Sequence, residues 1–506
     1  MGCSTYPYLF IDSSTEESTG GTISYTWQNR EDGLLHLDAE LRYALGGSTF
    51  VVGKAEYDKL SDEDITKNNP GSEVYKHEVY EYDYPSYWGS SHDLLDLSGT
   101  FYQDLGFLKI GIGGRYYRYH SPYSYKKTIN GTETTYELSY TSYDASYTSC
   151  DFDTIDQSYD VHGDFYLPSL GLWGRDVRYF QDTRIGEVYI TPTATMEPVN
   201  YEEYFKPSVE YHDRDDKTGY SGKVGIDLSL GTGDTILTPY VYFDNSKGSS
   251  EFYVHRSSGD KSALDATYEI KDITPGTTMY MRSLDVVMDG SYKMYNENYV
   301  EWSTDSTGTP ITLDASGAVY SGYKVDRKVM YLSVRKRFPL DSFYVIPGLS
   351  YTRDEYAKRG TAYDRDNKEL TGDKYEYHGA RDETTTTYDI FLNVRKDFGN
   401  DMKFGADIGG AYRNYDRKTY STSDFTVTYT ENSSNGFYLL WPHSRLFVNM
   451  RLLKHLFISV SGSFNLDSST SYPEKLKSSD EYTSTGEITS SGWTQVDLAV
   501  KLKYEF

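Results

Sequence analysis

The chain has 506 residues, with 50 basic against 76 acidic side chains, a formal net charge of -26, and 54 tyrosines beside only 2 cysteines. That acidity excludes a broad basic surface for nucleic acid or another polyanion, and Cys3 and Cys150 alone give no disulfide framework. No run approaches 18 apolar residues, which excludes helical membrane spans. The 43 glycines, 37% hydrophobic residues and mean hydropathy of -0.65 suit one large sheet with a wet face better than several buried cores.

Residues 1–10 have neither the basic start nor the apolar stretch of a secretory signal, so the sequence reads as a processed form from which the signal is absent. Strands are predicted at 22–30, 34–45, 49–57, 93–103 and 107–119. Their shared feature is period-two alternation over the length that a tilted strand needs to cross a bilayer. In 35–45, Leu35, Leu37, Ala39, Leu41, Tyr43 and Leu45 share one face, and His36, Asp38, Glu40 and Arg42 the other. The middle of the chain offers 158–167, 204–212, 220–230, 236–243 and 284–295, while 168–203 and 244–282 do not resolve. Three hairpins follow: 327–338 with 342–353, 385–398 with 402–415, and a strand ending near Leu452 with 456–466. Residues 493–506 form the last strand.

Alternation alone does not separate a lipid-facing sheet from a soluble sandwich. The connections do. Short links at 46–48, 104–106, 339–341, 399–401 and 453–455 alternate with long polar ones near 58–92, 120–157, 296–326, 354–384, 416–435 and 467–492. Compact soluble domains rarely hold so many long loops, whereas transmembrane barrels have short turns on one side and long loops on the other. The fold expected is an all-β, transmembrane, antiparallel up-and-down barrel of 16 to 18 strands, with short periplasmic turns and long extracellular loops. Residues 1–20 are expected as an N-terminal periplasmic segment and 21–506 as the barrel. Phe338, Phe343, Phe398 and Phe404 fall beside short turns, and Tyr116, Tyr117, Tyr351 and Tyr412 near the opposite rim, as two aromatic girdles require.

The last strand places Val496, Leu498, Val500, Leu502, Tyr504 and Phe506 on one face and Asp497, Lys501 and Lys503 on the other. This ending resembles the C-terminal signature of bacterial outer-membrane β-barrel proteins, the porin-like superfamily. The resemblance implies location in the bacterial outer membrane, contact with its lipid, and recognition of Tyr504 and Phe506 by the barrel assembly machinery. Gly2-Cys3-Ser4 is similar to the remnant of a bacterial lipoprotein signal, which leaves lipidation of Cys3 open.

No local catalytic, phosphate-binding or metal-binding motif is complete, and no cofactor is implied. His77-Glu78 lacks the second histidine of a zinc-protease helix, and 364–368 begins like a calcium loop but has Lys368 where an oxygen ligand is needed. The chain therefore reads as no enzyme, although a barrel-embedded hydrolase could assemble Ser, His and Asp from separate strands. The polar face supplies the candidate pore-lining residues Glu40, Arg42, Asp227, Arg335, Arg337, Asp389, Arg395, Arg445, Arg451, Asp497 and Lys501. Ions at such positions require water or opposite charge, and a barrel of this size has room for an aqueous lumen. The function expected is a porin-like channel for diffusion of small hydrophilic solutes. The alternatives are a barrel whose loops engage a protein or polysaccharide partner, with Tyr80, Tyr82, Tyr84, Tyr87 and Trp88 as a candidate platform, and a polysaccharide export conduit.

Overall fold

The computed structural model describes residues 20–28, 35–46, 49–66, 71–75, 78–82, 86–131, 143–194, 209–231, 233–256, 261–304, 310–312, 317–341, 343–398, 402–422, 429–471, 474–478, 481–485 and 489–505. Eighteen strands pair in chain order as staves of a barrel. The first six are β1 (Gly20–Gln28), β2 (Leu35–Gly46), β3 (Thr49–Thr66), β4 (Ser86–Asp104), β5 (Lys109–Gly131) and β6 (Tyr143–Leu167). The next six are β7 (Leu172–Ala194), β8 (Val209–Ile226, resuming as Leu228–Leu230), β9 (Thr235–Arg256), β10 (Lys261–Met281), β11 (Val286–Thr304) and β12 (Tyr320–Lys336, resuming as Phe338–Leu340). The last six are β13 (Phe343–Tyr363), β14 (Arg381–Asp397), β15 (Met402–Thr422), β16 (Tyr429–Leu453), β17 (Leu456–Ser471) and β18 (Thr489–Glu505). The ring closes by antiparallel pairing of β18 with β1, from Thr22↔Glu505 to Gln28↔Ala499. Every backbone donor and acceptor along the staves can therefore be met within the sheet, as a bilayer requires.

The sheet contains 23 strand segments in all, more than the 16 to 18 expected. The excess comes from the two resumed segments, from Glu369–Leu370, and from the hairpin Glu474–Ser478 with Glu481–Thr485. Among the described residues no helix is long and apolar enough to cross a membrane. The expected periplasmic segment 1–20 lies outside the described residues up to Gly20, which opens β1.

Sequence alternation becomes an inside and an outside. Leu37, Leu41, Tyr43 and Leu45 on β2 are exposed, as are Leu97, Phe101, Ile112, Val161 and Ile390 along other staves; Ile390 is 67% and Val161 63% accessible. Apolar side chains so placed are satisfied by lipid. On the opposite face, rings lie over glycines of the next stave. Tyr102 covers Gly111, Tyr240 covers Gly276, Phe391 covers Gly348 and Phe447 covers Gly405. A glycine lets the ring lie flat against the wall, and the ring restores the contact area that glycine lacks. The girdle reading needs one correction. Tyr117 shares the polar face with Arg115, whose guanidinium carbon lies 5.6 Å from its ring centroid, because adjacent strand residues cannot both face lipid.

The staves run farther than predicted. β3 continues to Thr66, β5 to Gly131, β11 to Thr304 and β13 to Tyr363, through stretches read as loops. Beyond the bilayer both faces of a strand are wet, so alternation fades while hydrogen bonding continues. For the same reason the described part of 204–212, from Val209, and 220–230 are one stave, β8, whose intervening charges pair locally as Arg214 Nε to Asp216 Oδ2 at 2.8 Å. The described parts of 168–203 and 244–282, where the sequence shows no clear alternation, supply β7, the end of β9, and β10. The 364–368 stretch is a turn: Asp364 Oδ1 accepts the Asp366 and Lys368 N–H groups, both at 2.9 Å.

Candidate functional site

The inner faces of β3 to β9 surround a cavity of about 530 Å³. Sheet register builds it in rows. Lys54, Ser98, Arg115 and Asp160 form one row across β3, β4, β5 and β6. Thr100, Gly113, His162, Arg178 and Ser221 form the next, across β4 to β8. Thr100 Oγ1 lies 2.9 Å from His162 Nε2, and His162 Nδ1 lies 2.8 Å from Asp160 Oδ1. Arg178 donates from Nε to Ser221 Oγ at 2.9 Å and lies 3.8 Å from Asp160 Oδ2. Arg115 donates from Nε to Asp96 Oδ1 at 2.8 Å.

A bulge supplies the cavity's other side. The β7 register slips against both neighbours around Arg175 and Asp176, and Asp176 takes φ 47°. Its N–H is held by Asp164 Oδ1 at 2.8 Å. A bulge re-aims side chains, and here Arg175 and Asp176 both line the cavity. Lys223 sits over the Tyr240 ring, 3.7 Å from its centroid, with Trp173 at 6.0 Å. The lining thus contains five cations, Lys54, Arg115, Arg175, Arg178 and Lys223, against three carboxylates, Asp160, Asp164 and Asp176. Arg115 is also met by Asp96 and Lys54 by Glu40 from just outside the lining, so in a chain of charge -26 the cluster is close to neutral and can ring an anion with donors without net repulsion.

The predicted pore residues disperse around the ring. Glu40 pairs with Lys54 at 3.4 Å, beside the cavity. Asp227 instead knits the base of the wall, accepting from Thr238 Oγ1 at 2.8 Å and Trp173 Nε1 at 3.3 Å. Arg335 faces Asp289 at 3.8 Å. Arg337 belongs to the short-turn rim, where its N–H donates to the Asp285 carbonyl at 3.0 Å and its guanidinium pairs with the Asp285 carboxylate. Arg395 and Arg445 come together: Arg395 pairs with Asp407 at 2.5 Å, and both guanidinium carbons lie over the Phe447 ring, at 4.8 and 5.8 Å from its centroid. Arg451 stacks on Phe457 at 5.1 Å. Asp389 is opposite Ser350 and Ala411, and Lys501 opposite Ser459 and Thr26. The side chains of Arg42 and Asp497, and Phe506 altogether, lie outside the described residues, as do the side chains of the Tyr80 to Trp88 platform. Tyr504 is 49% exposed on the apolar face.

The residues that build the cavity were missed, apart from the neighbouring Glu40. A usable signal was present: Arg115, Asp160, His162 and Arg178 each interrupt strands whose alternate positions are apolar or aromatic.

No family model matches the chain, and no curated protein matches it. Among solved structures it is similar to the ferric yersiniabactin uptake receptor of Yersinia pestis, at 8% identity and a TM-score of 0.43, covering 97% of this chain and 80% of that one. It is also similar to the alcaligin outer-membrane receptor of Bordetella pertussis, at 8% identity and TM-score 0.42, covering 97% and 76%. The ferric preacinetobactin receptor of Acinetobacter baumannii follows at 7% identity and TM-score 0.40, covering 97% and 80%. These proteins are named as receptors, which corrects the expected porin-like diffusion channel together with its alternatives, the loop-binding barrel and the export conduit. None of the three is described as an enzyme. A closed ring of 18 antiparallel staves, apolar outside and ionic inside, is the architecture of a transmembrane β-barrel, and this is the fold of the chain.

Proposed function

We propose that the chain is an uptake receptor that binds a small anionic solute on its inner wall. The observation that carries this reading is the excess of cations over carboxylates lining the cavity of β3 to β9, inside a protein that is otherwise strongly acidic. Its volume of about 530 Å³ falls in the range of small-molecule sites. Ferric chelates, the ligands named for two of the similar receptors, are the first class to test. In this reading Glu40, Arg42, Asp389, Arg395, Arg445, Arg451, Asp497 and Lys501 line the route past the site, Arg335 stiffens it, and Asp227 and Arg337 hold the wall at its base. Tyr504 and Phe506 serve assembly.

The test is a tryptophan-fluorescence titration of the purified barrel in detergent with ferric citrate, iron-free citrate and a neutral trisaccharide. Saturable binding of the anions that weakens with added salt is expected. Equal response to the neutral sugar, or none to any anion, would overturn the reading.

A further inference from the structure

One wall of the cavity holds a hydroxyl, an imidazole and a carboxylate in line. Asp160 and His162 are two residues apart on β6 and therefore share its inner face. Thr100 stands two staves away on β4, and the residue between them in the row is Gly113. A Cβ at Gly113 would lie 2.6 Å from both His162 Nε2 and Thr100 Oγ1. Glycine at this one position is what lets the imidazole cross a stave to reach the hydroxyl. Asp160 is 8% exposed, with the Arg178 guanidinium 3.8 Å away. A carboxylate at Nδ1 fixes the tautomer in which Nδ1–H donates to Asp160, leaving Nε2 to accept the Thr100 hydroxyl proton. Lys54 and Arg115, in the adjacent row, line the same cavity and supply positive charge for an oxyanion.

We propose that Thr100, His162 and Asp160 form an acyl-transfer site that hydrolyses a carboxylic ester of an anionic solute. Thr100 Oγ1 attacks the ester carbonyl carbon while its proton passes to His162 Nε2. The tetrahedral oxyanion collapses, the bond to the alkoxy oxygen breaks, and His162 returns the proton to the departing alcohol. Water then attacks the acyl-threonine, giving its proton to His162. Collapse releases the carboxylic acid and restores the Thr100 hydroxyl. Thr100 and His162 are the catalytic residues, and Asp160 is a positioning residue. The proposal stands on this line of three groups and does not depend on the uptake reading.

The experiment treats the full chain, folded in detergent micelles, with a fluorophosphonate probe and maps the adduct by peptide mass. In parallel, hydrolysis of the p-nitrophenyl monoester of succinate is followed. Labelling of Thr100 is expected, and Thr100→Ala and His162→Ala should each lower labelling and hydrolysis by roughly 100-fold, the scale of one general base. Thr100→Ser keeps the nucleophile and should retain both. Asp160→Asn should lower kcat more than KM and move the pH profile, which a purely structural carboxylate would not do. Folding of each variant is checked by the faster gel migration of unheated barrel. A folded parent with no adduct on Thr100, or a folded His162→Ala variant labelled as fast as the parent, would overturn the proposal and leave the row as a hydrogen-bonded brace of the wall.

Discussion

Two sectors of the inner wall use the same residue types to opposite ends. From β11 to β13, carboxylates and tyrosines answer one another. Tyr295 and Tyr323 donate to the two oxygens of Glu297 at 2.7 and 3.0 Å, and Tyr299 and Ser321 do so for Glu301 at 3.1 and 3.3 Å. Tyr299 and Tyr323 stack at 4.8 Å, and Arg327 engages both oxygens of Asp354 at 2.9 and 3.1 Å. From β3 to β9, cations outnumber carboxylates around open volume. The first sector closes its hydrogen bonds within the wall and is a brace. The second turns cationic donors toward open volume. A charged inner face is thus not one function, and the balance of partners in each sector separates support from recognition.

Breaking the second sector should give the largest effect. Arg175→Gln combined with Lys223→Gln should weaken binding of an anionic chelate about 100-fold, roughly 2.7 kcal/mol, with no loss of folded barrel. Binding by the double variant equal to that of the parent would erase the distinction between the sectors. Glu297→Gln should do the reverse, since it removes a charged acceptor shared by two hydroxyls. About 2 kcal/mol of stability should be lost, read as a lower denaturant midpoint, while chelate affinity stays fixed. Arg395→Gln leaves Asp407 with the Asn393 amide at 2.6 Å and should cost about 1 kcal/mol in the same assay.

The smallest effect concerns pH above the bilayer. Burial would raise the Glu383 carboxyl, but hydrogen bonds from Arg381 and Arg417 hold it below its ordinary range. A carboxyl depressed by folding contributes stability above its unfolded pKa, and that contribution is lost as the pH falls through the folded value. Glu383→Gln should therefore lower stability slightly at neutral pH, leave the acid limit almost unchanged, and so flatten the acid side of the stability profile. An unaltered acid limb would remove this pair from the account.

The staves were legible where lipid imposes alternation, as in β2 and β14, and the short turns fixed their sense. Above the bilayer the pattern has no apolar half, so the ends of β3, β5 and β13 were read as loops. The cavity was hidden for two further reasons. The bulge at Arg175 and Asp176 breaks the period on β7, and Thr100 meets His162 across 62 residues of sequence. The polar face was visible as a list of charges, but which of them share a row depends on register, and no local pattern encodes that. Tyr117 was legible and misplaced, since its parity with Arg115 already set its face.

The most direct test of the contrast between the two sectors is where an anion lands. A photoreactive anionic chelate is cross-linked to the folded protein in detergent, and the adducts are mapped by peptide mass. Adducts concentrated on β5, β6, β7 and β8 are the predicted result, with few on β11 to β13. Adducts confined to β11 to β13, or spread evenly around the ring, would contradict it.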